Sequence, residues 1–255
     1  MTHSLLIGGT KGLGRVVARQ LAQRGDHVSV FGRSEIPAAD QSAGMIDSYQ
    51  VDINDPAAVT AAVATSVAKN GPLNYCVFLQ RYRGKGDDWA GEIQTTLTAT
   101  KSIVEIVTPH MAPEGDKALL MVSSVFATYV GEGQAASYHV AKAGLDQLMR
   151  YYALNLGPKG IRSNGVTPFT FLKEESRQFY LDNKKIVDVY DSIIPLRRMA
   201  ATEDSANAIE FLCSKQASFV NGQNITVDGG LSLVWPETLA QIGRASCRER
   251  VCSTV

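Results

Sequence analysis

The residues Leu5-Leu6-Ile7-Gly8-Gly9-Thr10-Lys11-Gly12-Leu13-Gly14 decide the fold class of this 255-residue chain. The apolar run at their start is typical of a buried strand, and residues 15–21, which follow, carry apolar side chains at helical spacing. A glycine-rich turn between a strand and a helix lets backbone N–H groups approach a pyrophosphate, which the N-terminus of the helix attracts. The sequence therefore predicts a phosphate-binding turn formed by Gly8, Thr10, Lys11, Gly12, Leu13 and Gly14.

A second pattern combines a tyrosine, a lysine and a serine. Tyr138 and Lys142 are four residues apart, so on a helix they share one face. An ammonium group beside a phenol favours the tyrosinate form, and a serine hydroxyl can hold a carbonyl or alcohol oxygen in line with the tyrosine. Ser123-Ser124 supplies that hydroxyl, fourteen to fifteen residues upstream of the tyrosine. The Tyr/Lys spacing alone would fit an ordinary amphipathic helix, so the hypothesis depends on its neighbours.

Together these segments resemble the short-chain dehydrogenase/reductase family along almost the whole chain. Gly8, Gly12 and Gly14 match its G-x-x-x-G-x-G cofactor loop. Met-Val-Ser-Ser at residues 121–124 is similar to the strand end that carries its catalytic serine, with Ser124 the better match. Three further family signatures follow in order: Gly-Ile-Arg-Ser-Asn-Gly-Val-Thr-Pro at 160–168, Pro-Leu-Arg-Arg at 195–198 and Val-Asp-Gly-Gly at 227–230.

The resemblance implies a fold, a reaction and a set of site residues. The expected fold is a single Rossmann-like α/β domain over residues 1–241, with a doubly wound, parallel, seven-stranded sheet between helices. The expected reaction is hydride transfer between a nicotinamide and a carbonyl or alcohol, catalysed by Ser124, Tyr138 and Lys142. Asp52-Ile53 is the pair expected at the adenine ring. The other expected cofactor contacts are Leu79, Gln80, Tyr138, Lys142 and Pro168.

Alternating strand and helix patterns point to the same fold. Strands that alternate with helices predict a parallel sheet covered on both faces. The predicted strands after the first are His27–Phe31, Ser48–Ile53, Tyr75–Leu79, Ala118–Val122, Ile161–Val166 and Asn224–Val227. The predicted helices after the first are Pro56–Lys69, Trp89–Val107, Ser137–Leu156 and Thr202–Leu212.

The residues after the second predicted strand favour NADP(H) over NAD(H). NAD binders place an acid on the adenosine ribose, whereas NADP binders place cations beside its extra 2′-phosphate. Here Gly32-Arg33-Ser34 follows the strand with no acid at its tip, and Arg33 can donate charge-assisted hydrogen bonds to phosphate. Lys11 is a second cation at the same end of the predicted cofactor site. Arg33 and Ser34 are therefore also candidate cofactor contacts. Either cation alone would equally fit a solvated surface residue, and Glu35 lies nearby.

The chain departs from the family pattern at three places. Phe78-Leu79-Gln80-Arg81 stands where the family carries Asn-Asn-Ala-Gly, and Pro168-Phe169 where it carries Pro-Gly. Thr96, seven residues after Trp89, aligns with the helix asparagine that supports proton transfer to the catalytic lysine, so Thr96 is a candidate catalytic residue. Gln-Arg-Tyr-Arg at residues 80–83 would suit an anionic substrate, or else form a solvated loop.

Residues 169–200, called the lid below, are expected to cover the substrate. They carry several aromatic side chains among charged residues, and long loops beside a cofactor site often close over ligands. The alternative is that these aromatic residues pack a small surface helix or a subunit contact; they are Phe169, Phe171, Phe179, Tyr180 and Tyr190. The family also implies a homotetramer or homodimer built on its long fourth and fifth helices.

Composition argues against several function classes. The 25 basic and 25 acidic residues balance, and the basic ones are scattered, so no nucleic-acid partner is expected. No apolar run approaches the ~20 residues of a membrane span, and the N-terminus enters the first strand without room for a signal peptide. A cytoplasmic protein without a membrane partner is therefore expected. No cluster of His, Cys and Asp has metal-ligand spacing, and Cys76 and Cys213 are expected to be buried thiols.

Residues 242–255 carry a different signal. Their first ten residues, Ile-Gly-Arg-Ala-Ser-Cys-Arg-Glu-Arg-Val, are the translation of a DNA string used as a short-read sequencing adapter. We interpret residues 242–255 as non-native read-through and leave them out of fold reasoning. A natural basic tail is the alternative, and a continuous genomic reading frame across the junction would establish it.

Two functions from different classes remain. The first is an NADP-dependent carbonyl reductase or alcohol dehydrogenase that acts on a small molecule. The second is a non-catalytic NADP-binding scaffold or sensor, suggested by the missing Asn-Asn-Ala-Gly and helix asparagine. Ser124, Tyr138 and Lys142 argue for the enzyme, because a chain that had lost its activity need not keep all three.

Overall fold

A parallel sheet organises the computed structural model, which describes residues 1–40, 45–84, 86 and 88–241. Within these residues seven strands run parallel in the order β3-β2-β1-β4-β5-β6-β9. The prediction of a doubly wound, seven-stranded α/β fold is thereby confirmed. The strands are β1 (His3–Ile7), β2 (His27–Gly32), β3 (Ile46–Gln50), β4 (Tyr75–Phe78), β5 (Lys117–Val122), β6 (Ile161–Pro168) and β9 (Asn224–Val227).

Helices cover both faces of this sheet. On one face lie α2 (Pro56–Asn70), α4 (Ala99–Val107) and α5 (Ala136–Leu156). On the other lie α1 (Gly12–Gln23) and α8 (Thr202–Leu212). Because side chains alternate across a strand, neighbouring residues of β1 enter different cores. Both cores are apolar, which explains why the central strands read as continuous apolar runs.

Local signals set the bounds of α2. The Asp55 carboxylate accepts hydrogen bonds from the N–H groups of Ala57 and Ala58 at 2.9 and 3.1 Å. Pro56 opens the helix, where its missing N–H costs nothing. Gly71 ends it with φ 83°, a conformation that favours glycine. The sequence places this helix well because its cap, its proline and its glycine are all local.

The third strand differs from its prediction. It covers Ile46–Gln50 instead of residues 48–53, although the Val51 N–H still bonds to the Gly32 carbonyl at 2.9 Å. The Asp52 side chain accepts the Asn54 N–H at 3.0 Å, and this local turn removes Asp52 from the sheet. The turn directs the chain across the end of β2, toward the mouth of the site described below.

The long predicted helix over residues 89–107 is interrupted by a π-turn. It consists of α3 (Trp89–Ile93), a π-helical segment over Gln94–Thr98, and α4. A π-turn contains one residue more than an α-helical turn, so it shifts which side chains face inward. Thr95 and Thr96 lie inside this segment, and the shift decides which of them reaches the site.

The lid contains its own small elements. The two-residue strands β7 (Phe171–Leu172) and β8 (Ala200–Ala201) pair in parallel and hold its two ends together. Between them lie α6 (Arg177–Asp182) and α7 (Lys184–Ile193), neither of which contains a buried residue.

A buried ion pair fixes the opposite end of the sheet. Arg162 on β6 donates from Nη2 and Nε to the Asp116 carboxylate at 2.8 and 3.1 Å, and from Nη1 to the Leu212 carbonyl at 3.0 Å. Tyr75 donates its hydroxyl to the same carboxylate at 2.8 Å. The pair thus joins two strands to the end of α8.

Three further sequence predictions concern the cysteines, membrane spans and residues 242–255. Cys76 and Cys213 are free and buried, as expected. Among the described residues, none of the helices is both long and apolar enough to span a bilayer. The read-through hypothesis for residues 242–255 lies outside the described residues.

Candidate active site

A cleft of about 1110 Å³ opens at the carboxyl ends of the strands. It lies where the strand order reverses between β1 and β4, the place at which open α/β sheets bind ligands. Every predicted cofactor residue lines it: Gly8, Thr10, Lys11, Gly12, Leu13, Gly14, Arg33, Ser34, Asp52, Ile53, Leu79, Gln80, Tyr138, Lys142 and Pro168. The lid contributes Phe169, Phe171, Lys173, Glu175 and Tyr180 to its outer wall.

The glycine-rich turn is built for close backbone approach. A Cβ atom on Gly8 would lie 2.7 Å from the Gln80 Cα atom, and one on Gly14 would lie 2.7 Å from the Gly9 Cα atom. The backbone N–H of Gly12, at the start of α1, donates to Glu175 Oε1 at 2.9 Å. This turn therefore offers an N–H donor to a negatively charged oxygen, as a pyrophosphate requires.

Ser124, Tyr138 and Lys142 line the inner end of the same cleft. Tyr138 and Lys142 project from α5, and Lys142 Nζ lies 5.8 Å from the centroid of the tyrosine ring. Ser124 follows β5, where its Oγ accepts the Phe126 N–H at 3.3 Å. The Phe126 ring in turn packs edge-on against Tyr138, with 6.3 Å between centroids. The structure brings the three predicted catalytic residues together in one cleft, and their catalytic roles remain predictions.

Lys142 is the most perturbed cation of the cleft. Burial lowers its pKa to about 8, the carboxylate of Glu92 opposes this shift, and the charge of Arg81 adds to it. Its Nζ donates to the Val122 carbonyl at 2.9 Å, which anchors the ammonium group to the end of β5. A lysine with this pKa can both carry charge and exchange a proton near neutral pH.

Thr96 does not line the cleft, whereas its neighbour Thr95 does. Thr96 is buried behind the wall and donates its hydroxyl to Glu92 Oε1 at 2.6 Å. The π-turn explains the difference, because residue counting from Trp89 assumes an uninterrupted α-helix. Sequence reasoning also missed Glu92, a buried carboxylate whose charge acts on Lys142. Its only signal is its position four residues before Thr96.

Gln80 offers a polar group to a ligand. Its side chain is buried, and Nε2 donates to Thr100 Oγ1 at 2.7 Å. Its Oε1 atom has no hydrogen-bond partner among the described residues. A buried acceptor without a partner is costly, so a ligand that donates a hydrogen bond here would remove that cost. This acceptor and the N–H donor of the glycine-rich turn are the kinds of groups that a bound dinucleotide would use.

The outer mouth carries the predicted phosphate-binding cations. Lys11 and Arg33 are exposed at the cleft. Gln50 Nε2 donates to the Arg33 carbonyl at 3.1 Å, and Ser34 donates to Thr10 Oγ1 at 3.3 Å. These bonds fix the backbone and leave the guanidinium group of Arg33 at the mouth.

A further group of cations lines the cleft. Arg81 places its Cζ atom 5.5 Å from the centroid of the Tyr138 ring. Lys173, which sequence reasoning missed, is half-buried at the start of the lid. Its pKa is lowered by burial first and then by the charges of Arg81 and Arg83. Within the described residues, no group of three or more His, Cys, Asp or Glu residues is placed to hold a metal ion.

Comparison with known proteins identifies the family of this chain. The family model described as enoyl-(acyl carrier protein) reductase matches residues 8–232. The 3-oxoacyl-[acyl-carrier-protein] reductase FabG of Staphylococcus aureus is 31% identical over 248 residues, covering 91% of this chain and 98% of the relative. Human dehydrogenase/reductase SDR family member 4 is 27% identical, covering 89% of this chain and 86% of the relative.

A solved structure gives the same result. A short-chain dehydrogenase/reductase from Burkholderia xenovorans superposes with a TM-score of 0.79 at 27% identity, over 92% of this chain and 97% of that chain. The match therefore spans the sheet, the cleft and the lid. The resemblance seen in the motifs is confirmed: this chain belongs to the short-chain dehydrogenase/reductase family and is an NAD(P)-dependent oxidoreductase.

Proposed function

We propose that the protein is an NADP(H)-dependent carbonyl reductase or alcohol dehydrogenase in which Tyr138 is the general acid/base. One observation carries the proposal: the buried Lys142 ammonium lies 5.8 Å from the Tyr138 ring, in a cleft that also holds Ser124 and the glycine-rich turn. Groups with perturbed pKa values cluster at functional sites, so the lowered pKa of the buried Lys142 favours an enzyme over a non-catalytic scaffold.

The side chains divide the work of the reaction. The nicotinamide supplies the hydride to the carbonyl carbon. Tyr138 gives its hydroxyl proton to the carbonyl oxygen during reduction and takes it back during oxidation. Ser124 donates a hydrogen bond that holds this oxygen in line with the tyrosine. Lys142 favours the tyrosinate through its charge and is placed to bind the hydroxyl groups of the nicotinamide ribose.

The replacement Tyr138→Phe tests the catalytic assignment. It removes the proton donor and keeps the ring that packs on Phe126, so turnover of an aldehyde panel should fall by about 10²–10⁴-fold. The NADPH dissociation constant, measured by fluorescence titration, should change little. Turnover retained in this variant would refute the role of Tyr138.

The preference for NADP(H) is supported by Arg33 and Lys11 at the mouth of the cleft. A guanidinium–phosphate contact is a charge-assisted hydrogen bond, which contributes about 1.5–3 kcal/mol. Arg33→Met should therefore weaken NADPH binding about 10- to 100-fold and leave NADH binding nearly unchanged. Parallel titrations of residues 1–241 with the two cofactors measure both effects. Equal losses for both cofactors would remove Arg33 from the 2′-phosphate site.

We also propose a subunit assembly and a cellular location for the protein. Val140, Tyr151 and Leu154 on α5 are 47%, 57% and 78% exposed, and their spacing places them along one stripe of the helix. This apolar stripe supports a homodimer or homotetramer, which light scattering of the wild type and Leu154→Glu would test. The two buried free thiols support a reducing compartment, such as the cytoplasm.

A further inference from the structure

Three cations line the cleft between the Tyr138 ring and the glycine-rich turn. Arg81 lies over the Tyr138 ring, Arg83 lines the same cleft, and the Lys173 side chain lies beside Gly12 of the glycine-rich turn. In the part of the chain that the structure describes, none of the three forms an ion pair with a carboxylate. Arg81 is also exposed, so its guanidinium group is open to a ligand.

These charges act on one another. Arg81 lowers the pKa of both Lys142 and Lys173, and Arg83 lowers that of Lys173. Like charges that share a cleft repel, and a bound anion relieves the repulsion. The charges of Glu92 and Asp146 oppose the lowering of the pKa of Lys142, and Glu175 opposes that of Lys173, but none of the described acids forms an ion pair with Arg81.

The position of Arg81 separates this anion from those of the cofactor. A pyrophosphate belongs at Gly12, and a 2′-phosphate at Arg33 and Lys11, on the other walls of the cleft. Arg81 instead contacts the ring of the residue proposed to protonate the substrate. An anion bound there would lie beside the reacting carbonyl group.

We propose that the substrate is an oxo acid or hydroxy acid whose carboxylate is bound by Arg81, a few bonds from the carbon that receives the hydride. The inference rests on the proposed function and adds the substrate class. A carboxylate matches the planar guanidinium group, which can donate two parallel hydrogen bonds to it. Arg83 and Lys173 add positive charge to the same cleft.

Matched substrates test this assignment. The enzyme is assayed with NADPH and either 4-carboxybenzaldehyde or its neutral methyl ester, methyl 4-formylbenzoate. The wild type should favour the acid. Arg81→Met should lower kcat/KM for the acid about 10- to 100-fold and change that for the ester less than threefold. Arg81→Lys should restore part of the preference, and Arg150→Met, which removes a charge outside the cleft, should leave it unchanged.

A binding measurement keeps the inference testable without turnover. Benzoate and the neutral benzamide are titrated calorimetrically into the enzyme loaded with NADP⁺. Benzoate should bind more tightly to the wild type, and Arg81→Met should abolish the difference. No preference for the acid in either experiment, or equal losses for both compounds in Arg81→Met, would overturn the inference. Preferential benzoate binding with no turnover of either aldehyde would support the anion site and count against the proposed reaction.

An independent observation concerns the lid. Glu175 Oε1 accepts the Gly12 N–H at 2.9 Å, although the two residues are 163 positions apart in sequence. The adjacent Glu174 bonds to Arg15 at 2.7 Å and to Arg19 at 2.9 Å, both on α1. The lid thus places a carboxylate where a pyrophosphate oxygen would accept the same hydrogen bond.

We infer that Glu175 competes with the cofactor phosphate for the start of α1, so that this part of the lid must move when the cofactor binds. Glu175→Gln removes the negative charge at nearly constant size and should tighten binding of NADPH and of inorganic pyrophosphate several-fold. Glu114→Gln, the same change on an exposed loop, should leave both dissociation constants unaltered. Unchanged or weaker binding in Glu175→Gln and Glu175→Ala, with thermal stability retained, would contradict the competition.

Discussion

The parallel sheet and the lid form opposite sides of one cleft, yet they are held together by different forces. The sheet side is apolar and buried, and the residues that it carries into the cleft, such as Lys142, are buried with it. Within the lid, α6 and α7 have no buried residue, and the segment before them is held to α1 by the carboxylates of Glu174 and Glu175. Packing therefore fixes the catalytic side, whereas a charged ligand can compete for the contacts of the lid.

The largest stability effect should come from the sheet. Arg162→Met leaves the Asp116 carboxylate half-satisfied at a buried site, and breaking such a pair costs about 3–5 kcal/mol. Chemical denaturation would measure the loss of unfolding free energy. A loss below about 1 kcal/mol would show that the sheet depends on its ion pairs as little as the lid surface does.

At Lys142 we expect a smaller change in the unfolding free energy, and replacing this residue should stabilise the protein. Below pH 8 the lysine is protonated in both the folded and the unfolded chain, so folding bears the full cost of burying its charge. Between about pH 8 and its ordinary value near 10.5, only the unfolded chain holds the proton, and this cost disappears as the pH rises.

Lys142→Met should therefore stabilise the cofactor-free protein by about 1–4 kcal/mol at pH 7 while abolishing turnover. This gain in unfolding free energy should decrease as the pH rises toward 10. Thermal melts of both proteins across this pH range give the comparison. A gain that grows with pH, or a loss at pH 7, would contradict the assigned cost of burial.

The smallest effect is expected at the surface where the lid meets α8. Arg198 bonds to the Asp204 carboxylate at 2.7 Å, and both side chains are partly exposed. Solvent screens exposed ion pairs, so Arg198→Ala should leave the unfolding free energy nearly unchanged. A loss as large as that of Arg162→Met would remove the contrast between the two regions.

The same contrast explains what could be predicted from sequence. The glycine-rich turn, most of the strands and the Tyr138/Lys142 spacing are local patterns, so sequence alone predicts where they lie, although the third strand begins and ends earlier than predicted. The hydrogen bond from the Gly12 N–H to the Glu175 carboxylate joins residues that are far apart in sequence. No sequence periodicity predicts such a contact. Lys173 and Glu92 could not be predicted as site residues for a related reason. Their importance depends on which charged groups lie near them after folding.

The π-turn over Gln94–Thr98 changes how relatives of this chain should be aligned. If the turn arose as an insertion, a gap-free comparison assigns the wrong threonine to the position that reaches the cleft. A superposition that matches side chains at the cleft, instead of counting residues from Trp89, would compare Thr95 with a relative's cleft-facing side chain. The apparent loss of the helix asparagine at Thr96 would then reflect the extra residue of the π-turn, and the Thr95 hydroxyl would still reach the cleft.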